Sequence, residues 1–440
     1  MLPLTVKRLG LLLVLLTLGC QRPPMLVPTM FEQGAVDAFY DLDQAERSAT
    51  VTLFYATDRR SDAGGGNWQS YGRNRSGQLD IGTVQLDFGP GGAAGWPQLA
   101  TLTSGRPKAQ RYNPNPVATY RYGELYLTQH TPDQATGRPA RANEPNEASE
   151  RFIQELASAV DASAGKEITI YIHGFKNGFE EALKTAAEYD LYTADLGPFI
   201  CYSWPSYNSK WEYSHDRDSV RYTSSHARLL IEFLESQIRS GKLRAERINF
   251  IAHSSGAEVV GSVLRELALL SRDASASERR ERFRIGAVLL IAPDVSTDVA
   301  RERLLKEDLE GLYEQIVVYS STRDRALFWA SRFLYRTTRL GSIGETDLTE
   351  NDRRWLARDP SLQIINVDGQ PSHDLFMHSH HRYSPATASD MILCLRSDLT
   401  PPERGLVRDD GNLIWRFADD YPSRVTEAAK RVYPLLETDD

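Results

Sequence analysis

The sequence predicts an α/β fold, a three-layer sandwich in which a mostly parallel sheet lies between two layers of helices. Three observations support this class. From residue 167 onward, apolar runs of strand length alternate with segments of helical periodicity, which is the pattern of a parallel sheet covered on both faces. Polar and small residues follow several of the runs. At Arg247–Leu270, a buried run passes through a small-residue turn into an amphipathic helix.

The elements before residue 167 predict the margin of the sheet. Strands are expected at 51–55 and 81–88, and the Gly-, Pro-, Asn- and Thr-rich segments around them predict edge strands and long loops up to residue 137. A helix is expected over 147–160. The alternating region then gives strands at 168–172, 198–203, 248–252, 285–292, 315–319 and 362–367, and helices at 180–190, 218–239, after 256, at 384–396 and at 423–433.

The N-terminus differs from the rest of the chain. Lys7 and Arg8 precede the uncharged run Leu9–Leu18, which ends at Cys20 and is too short for a permanent membrane span. This resembles a bacterial lipoprotein signal, which implies cleavage before Cys20 and lipidation of that cysteine. A cleaved soluble signal and a retained anchor are the alternatives. Gln21 then favours the periplasmic side of the outer membrane in the cell envelope.

These features divide the chain into four parts: a signal peptide at 1–20, a tether at 21–47, the main domain at 48–400 and a C-terminal extension packed on it at 401–440. A net charge of −8 argues against a nucleic-acid partner. Three cysteines are too few for a disulfide framework, and Cys201 and Cys394 are expected in the core.

Ser254 lies between the predicted central strand and its helix. Ala252 and Gly256, two positions to either side, are small, as a nucleophile elbow requires because its tight turn leaves no room for larger side chains. The alternative is an ordinary strand-to-helix connection in which Ser254 or Ser255 caps the helix.

A second strand end complements this serine. His173-Gly174-Phe175 follows the strand at 168–172, and the glycine allows a turn that directs the Phe175 N–H toward the serine. With the Ser255 N–H it would form an oxyanion hole for a tetrahedral intermediate.

A nucleophilic serine needs a histidine base, and that histidine needs an acid. Asp324, beyond the strand at 315–319, is favoured as the acid over Asp294, which is expected to be structural, for instance as a helix cap. His378 is favoured as the base, with His373 and His380 as alternatives. The same loop, with His381 and Asp374, would otherwise be a metal site, although the serine accounts for one histidine without any metal.

Several segments together resemble the α/β-hydrolase superfamily, and more narrowly an uncharacterised bacterial branch of it: Phe54–Arg59, Ser203–Ser206, Ala252–Gly256, Ala292–Asp294 and His378-Ser379. The resemblance implies the α/β-hydrolase fold and a triad of Ser254, Asp324 and His378. It predicts a serine esterase for a small-molecule ester or lipid-like substrate, without a cofactor. The alternative is a noncatalytic envelope lipoprotein that uses the fold as a binding scaffold.

Two groups of aromatic residues lie near the predicted site. Trp204, Tyr207, Trp211 and Tyr213 follow the strand at 198–203 and predict an apolar acyl pocket. Phe328, Trp329, Phe333 and Tyr335 follow Asp324 at helical spacing, for which core packing is the favoured interpretation.

Overall fold

A computed structural model of the chain describes residues 24–32, 34–42, 47–62, 68–103, 113–125, 146–207, 213–305, 307–370 and 377–435. Within these ranges, no helix has both the length and the apolar character that crossing a bilayer requires. The predicted signal peptide lies outside the described residues.

Eleven strands form one sheet, in the order β10-β11-β9-β8-β7-β6-β4-β5-β1-β2-β3. Eight neighbouring strands, from β11 to β1, are parallel, whereas β2, β3 and β10 pair antiparallel at the two margins. The strands are β1 Thr50–Ser61, β2 Tyr71–Phe88, β3 Pro114–Glu124, β4 Glu167–Ile172, β5 Phe199–Ser203, β6 Arg247–His253, β7 Ile285–Ile291, β8 Tyr313–Ser320, β9 Leu362–Asn366, β10 Leu406–Val407 and β11 Trp415–Phe417. The predicted α/β class with a mostly parallel sheet is confirmed.

Thirteen α-helices of the described part accompany the sheet, and they are α1 Thr29–Glu32, α2 Gly92–Thr103, α3 Glu147–Ala162, α4 Phe179–Thr193, α5 Tyr213–Arg239, α6 Gly256–Leu270, α7 Ala276–Phe283, α8 Thr297–Ala300, α9 Arg325–Trp329, α10 Glu350–Arg358, α11 His380–Tyr383, α12 Pro385–Arg396 and α13 Tyr421–Ala429. Short π-helical turns follow α8 and α9, at Arg301–Leu305 and Ala330–Tyr335.

Alternation along each strand divides the core into two layers. In β6, Ile248 and Phe250 face the layer that contains α3, α5 and α6, whereas Ile251 faces the layer that contains α4 and α12. Both faces of the central strands are therefore buried from solvent, which is why their sequences are largely continuous apolar runs. Because parallel strands end at the same edge, the loops after β4, β6, β7, β8 and β9 meet at one edge of the sheet.

The segment after residue 23 differs from the predicted tether. Met30 and Phe31 are buried in the core, and the Met30 N–H donates to Ser389 Oγ at 3.1 Å. Asp41 forms an ion pair with Arg396 at the far end of α12. Residues 24–32 and 34–42 therefore pack along the domain, because their buried apolar side chains join those of α12 in one cluster. Only residues 21–23 of the expected tether precede them.

Two further differences concern the segments beside the sheet. Strand β1 is not at the margin but lies inside the sheet, between β5 and β2. Helix α2 replaces part of the loop expected after residue 89. At the C-terminus, β11 pairs parallel with β9, and buried Arg404 donates to Asp390 of α12 at 2.8 Å, so residues after 401 complete the sheet and its covering layer.

Candidate functional site

Ser254 occupies a strained turn between β6 and α6. Its φ is +53°, a left-handed conformation that costs a residue with a side chain about 1–3 kcal/mol. Backbone hydrogen bonds hold this conformation: the Ser254 N–H donates to Ile291 O at 2.8 Å, and the Ser254 carbonyl accepts from the Asp294 N–H at 3.1 Å. The neighbouring strand β7 thus fixes the turn that directs the hydroxyl away from the sheet.

Glycines make room for this turn. A Cβ on Gly256 would lie 2.6 Å from Ile172 O and 2.7 Å from His173 O, closer than real Cβ contacts. A Cβ on Gly174 would lie 2.8 Å from Ser254 Cβ. Close backbone approach on both sides of Ser254 therefore excludes larger side chains, as the elbow pattern in the sequence predicts.

Ser254, His378 and Asp324 form one chain of hydrogen bonds. His378 Nδ1 lies 2.6 Å from Asp324 Oδ2, and His378 Nε2 lies 2.9 Å from Ser254 Oγ. A carboxylate only accepts, so Nδ1–H donates to Asp324, and Nε2 is left to accept the Ser254 hydroxyl proton. Asp324 is fully buried, whereas the side chain of His378 is 18% exposed. The imidazole therefore connects a buried charge to the edge of the site.

Asp324 is fixed by its position as well as by His378. Its Oδ1 accepts from the Leu327 N–H at 2.8 Å and caps α9. The competing residue, Asp294, faces a different partner: Arg339 Nε donates to Asp294 Oδ1 at 2.6 Å, and both side chains are buried. The suggestion that Asp294 caps a helix is wrong, because Ser296 is the N-cap of α8 and the carboxylate neutralises Arg339.

Three further histidines, His253, His380 and His381, are buried near this chain of hydrogen bonds. His253 Nε2 donates to the His378 carbonyl at 3.2 Å, and its ring lies 4.4 Å from that of His381. His380 and His381 are buried in α11. Among the described residues, no three His, Cys, Asp or Glu side chains are grouped as a metal site requires. His373 and Asp374 lie outside the described residues.

The turn after β4, which carries Phe175, is held by a buried polar network. His173 Nδ1–H donates to Gly174 O at 2.8 Å, and His173 Nε2 accepts from the Trp204 N–H at 3.1 Å. The rings of His173 and Trp204 stack at 5.1 Å. Arg59 Nη2 donates to the Asn177 carbonyl at 2.8 Å, at the end of the same turn. Side chains from β1 and from the loop after β5 thereby support the turn.

The structure places Phe175 in this turn, one residue after Gly174. Asn177 Nδ2 donates to the Phe175 carbonyl at 3.2 Å, and the Lys176 N–H donates to Ser206 Oγ at 2.8 Å. Ser255 opens α6, where the helix dipole favours negative charge. Ser255 thus follows Ser254 directly in the chain, and Phe175 follows Gly174, whose backbone lies against Ser254.

The aromatic residues fall into different environments. Trp204 is fully buried against His173, so it supports the turn instead of lining an open pocket. Trp211 lies outside the described residues. Phe328 and Trp329 are 57% and 55% exposed, so the core packing favoured for them from their spacing is wrong.

Because His173 is buried, the free energy of unfolding depends on pH. Desolvation and the Arg59 charge lower the pKa of His173 from 6.5 to about 3, so the folded protein keeps it neutral while the unfolded chain protonates it below pH 6.5. Above pH 6.5, His173 therefore has no effect on the pH dependence of the free energy of unfolding. Below pH 6.5 this free energy decreases as pH falls toward 3, by about 1.4 kcal/mol per pH unit. We expect urea unfolding from pH 7 to 4.5 to show this slope in the difference between wild type and His173→Asn. Parallel stability curves for the two proteins would contradict it.

Sequence reasoning missed the supporting roles of Arg59, His173 and Trp204. The signal was present, because Arg59 ends one of the segments that resemble hydrolases and Trp204 follows Ser203 in another. Their mutual contacts join three strand ends that are far apart in the chain. Sequence reasoning also missed the hydrogen bond from His253 to the His378 carbonyl, because the position of His253 next to Ser254 gives no sign of that distant partner.

Comparison with known proteins agrees with this architecture. A model of the family described as "Alpha/beta hydrolase of unknown function (DUF900)" matches residues 147–395, more than half of the chain. The match begins at α3 and ends within α12, and so includes β4 to β9 and the Ser254, Asp324 and His378 positions. No curated protein sequence matches the chain significantly. The chain belongs to the DUF900 family of α/β hydrolases of unknown function.

Proposed function

We propose that this protein is a serine hydrolase that cleaves a carboxylic ester through an acyl-enzyme on Ser254. The observation that carries the proposal is the hydrogen-bond chain from Ser254 Oγ through His378 to Asp324, at 2.9 and 2.6 Å. A serine hydroxyl is a weak nucleophile until a base accepts its proton. His378 is that base, and it has the required tautomer because the buried Asp324 accepts the hydrogen bond from Nδ1–H.

The reaction follows from this arrangement in two halves. Ser254 Oγ attacks the ester carbonyl while His378 Nε2 takes the hydroxyl proton, and Asp324 stabilises the resulting imidazolium. The tetrahedral intermediate collapses when the C–O bond to the alcohol breaks, and His378 returns its proton to the leaving oxygen. Water then repeats the sequence on the acyl-enzyme and releases the acid, which regenerates Ser254.

The negative oxygen of each intermediate needs rigid donors. We assign this role to the backbone N–H groups of Phe175 and Ser255. The support is the close approach of Gly174 to Ser254 and the network around His173 that fixes the turn. One such donor contributes about 2.7–4 kcal/mol to transition-state stabilisation.

We further propose that the protein is lipidated on Cys20 and held in a bacterial envelope, with the domain on the periplasmic side. The basic residues, the apolar run and the cysteine of the N-terminal segment support this assignment. Gln21 after the cysteine favours the outer membrane.

A fluorophosphonate probe tests the proposed nucleophile. We expect the wild type to be labelled and the adduct to map to Ser254, because the probe reacts with serines activated by a neighbouring base. Ser254→Ala should abolish labelling, whereas Ser255→Ala should keep it, since the Ser255 side chain makes no capping hydrogen bond.

Other outcomes identify the alternatives. A folded but unlabelled wild type would favour a noncatalytic scaffold. Loss of ester hydrolysis on adding a chelator, without any reaction at Ser254, would instead indicate a metal-dependent hydrolase that uses the histidine loop.

A further inference from the structure

A basic and aromatic surface lies beside the proposed active site. Phe328 and Trp329 are 57% and 55% exposed at the end of α9, and their rings are 6.1 Å apart. Four exposed arginines surround them in the chain: Arg323, Arg325, Arg332 and Arg336. We call these six residues the α9 surface. It concentrates positive charge and large apolar side chains in a chain whose net charge is −8.

The local sequence reinforces this charge. Between Arg323 and Arg339 the only acidic residue is Asp324, which is fully buried against His378. On the inner side, Leu327 and Ala330 pack into the protein. Leu327 and Ala330 therefore face inward, whereas Phe328 and Trp329 face the solvent together with the four arginines.

This combination fits a membrane surface. Tryptophan and phenylalanine place their rings at the level of the lipid headgroups, and arginines beside them are attracted by anionic lipids. Exposed apolar residues scattered singly would need no explanation, but an adjacent pair within a basic segment does.

The path of the N-terminus leads to the same edge of the molecule. The Leu26 N–H donates to the Arg382 carbonyl at 2.9 Å, and the Met25 N–H donates to Glu188 Oε1 at 2.8 Å. Arg382 lies in α11, just after His378. Four residues lie between Cys20 and Met25, so the five Cα–Cα steps of an extended chain span at most about 18 Å. A lipid on Cys20, or a retained Leu9–Leu18 anchor, would keep the His378 loop close to the bilayer.

The α9 surface is connected to the same histidine through Asp324. Asp324 binds His378 with Oδ2 and caps α9 with Oδ1, and the Phe328 N–H donates to the Asp324 carbonyl at 2.9 Å. Phe328 is thus one helical turn from the residue that orients His378. The N-terminal segment and the exposed aromatic pair are therefore both linked by hydrogen bonds to His378 or to the residues just after it.

We propose that the α9 surface docks on anionic phospholipid at the membrane surface, so that the Ser254 site faces the bilayer. Docking does not require hydrolase activity. Where the proposed function also holds, it defines the substrate class as acyl esters presented at a lipid surface.

The test uses the full chain reconstituted into vesicles, with an environment-sensitive fluorophore on Phe328→Cys. We expect emission to rise and shift to shorter wavelength with phosphatidylcholine–phosphatidylglycerol vesicles, and to change little with phosphatidylcholine alone. The control is Leu270→Cys, because Leu270 is also exposed, at 53%, but ends α6 roughly 22 Å along the helix from the Ser254 turn. Cys201 and Cys394 are buried, and the chain without an introduced cysteine gives the background, including any label on Cys20.

The charge dependence is tested in the same labelled protein. Arg332→Gln with Arg336→Gln should weaken docking roughly 25-fold, since each arginine near an anionic surface contributes about a fivefold effect. High salt should also weaken docking, because it screens the attraction. Circular dichroism verifies the fold of each variant without reference to activity. No spectral change at position 328, an equal change at position 270, or equal docking on neutral and anionic vesicles would each overturn the proposal. Failure of the fluorophosphonate experiment would leave this result unaffected.

Discussion

Replacement of His378 by glutamine is expected to lower kcat for a soluble ester by about 10⁶-fold, because loss of the base in such a unit removes nearly all of its catalysis. Glutamine has a similar length and can still contact Asp324 and Ser254, which lie 2.6 and 2.9 Å from the imidazole. It cannot accept and return a proton near neutral pH. The measurement is kcat by active-site-normalised kinetics, with unfolding by urea to verify stability.

His380 provides the matched control for this variant. It lies two residues away and is buried in α11, and sequence reasoning left it open as the base. His380→Gln is expected to change stability more than kcat per folded molecule, because the hydrogen-bond chain to Ser254 passes through His378. A loss of kcat in His380→Gln equal to that in His378→Gln, with both proteins folded, would contradict the assignment.

The fold and the elbow could be read from the sequence because both depend on local patterns. Buried strands that alternate with helices give the α/β class, and Ala252 and Gly256 mark a turn without room for larger side chains. The edge of the sheet where the site lies follows from strand direction alone. These inferences need no knowledge of which distant residues touch.

The remaining features depend on such distant contacts. The choice among the loop histidines had no periodicity to guide it, and only the distances separate His378 from His380. Asp294 competed with Asp324 because its partner, Arg339, is 45 residues away. The segment at 24–42 resembled a tether because its short apolar clusters have no regular period, and their burial depends on a surface of α12 formed much later in the chain.

Variants of the two aspartates should separate a second large effect on kcat from an effect on the free energy of unfolding. Asp324→Asn is expected to lower kcat by about 10⁴-fold with little change in structure. The amide oxygen can still accept from the Leu327 N–H, now 2.8 Å from Oδ1, but the amide nitrogen then faces His378 Nδ1. The imidazole would adopt the tautomer with its proton on Nε2, which cannot accept the proton of Ser254.

Asp294→Asn should have the opposite profile, because Asp294 neutralises a buried cation. Arg339 donates to it at 2.6 Å, and both side chains are almost inaccessible, so removing the carboxylate charge is expected to destabilise the fold by about 3 kcal/mol. The folded fraction should retain kcat within a small factor, since the His378 contact is untouched. Measuring kcat and urea unfolding on both variants therefore distinguishes the roles: the reverse pattern, with Asp294→Asn inactive but stable and Asp324→Asn active, would transfer the acid's role to Asp294. It would also require His378 to turn away from the partner that now fixes its tautomer.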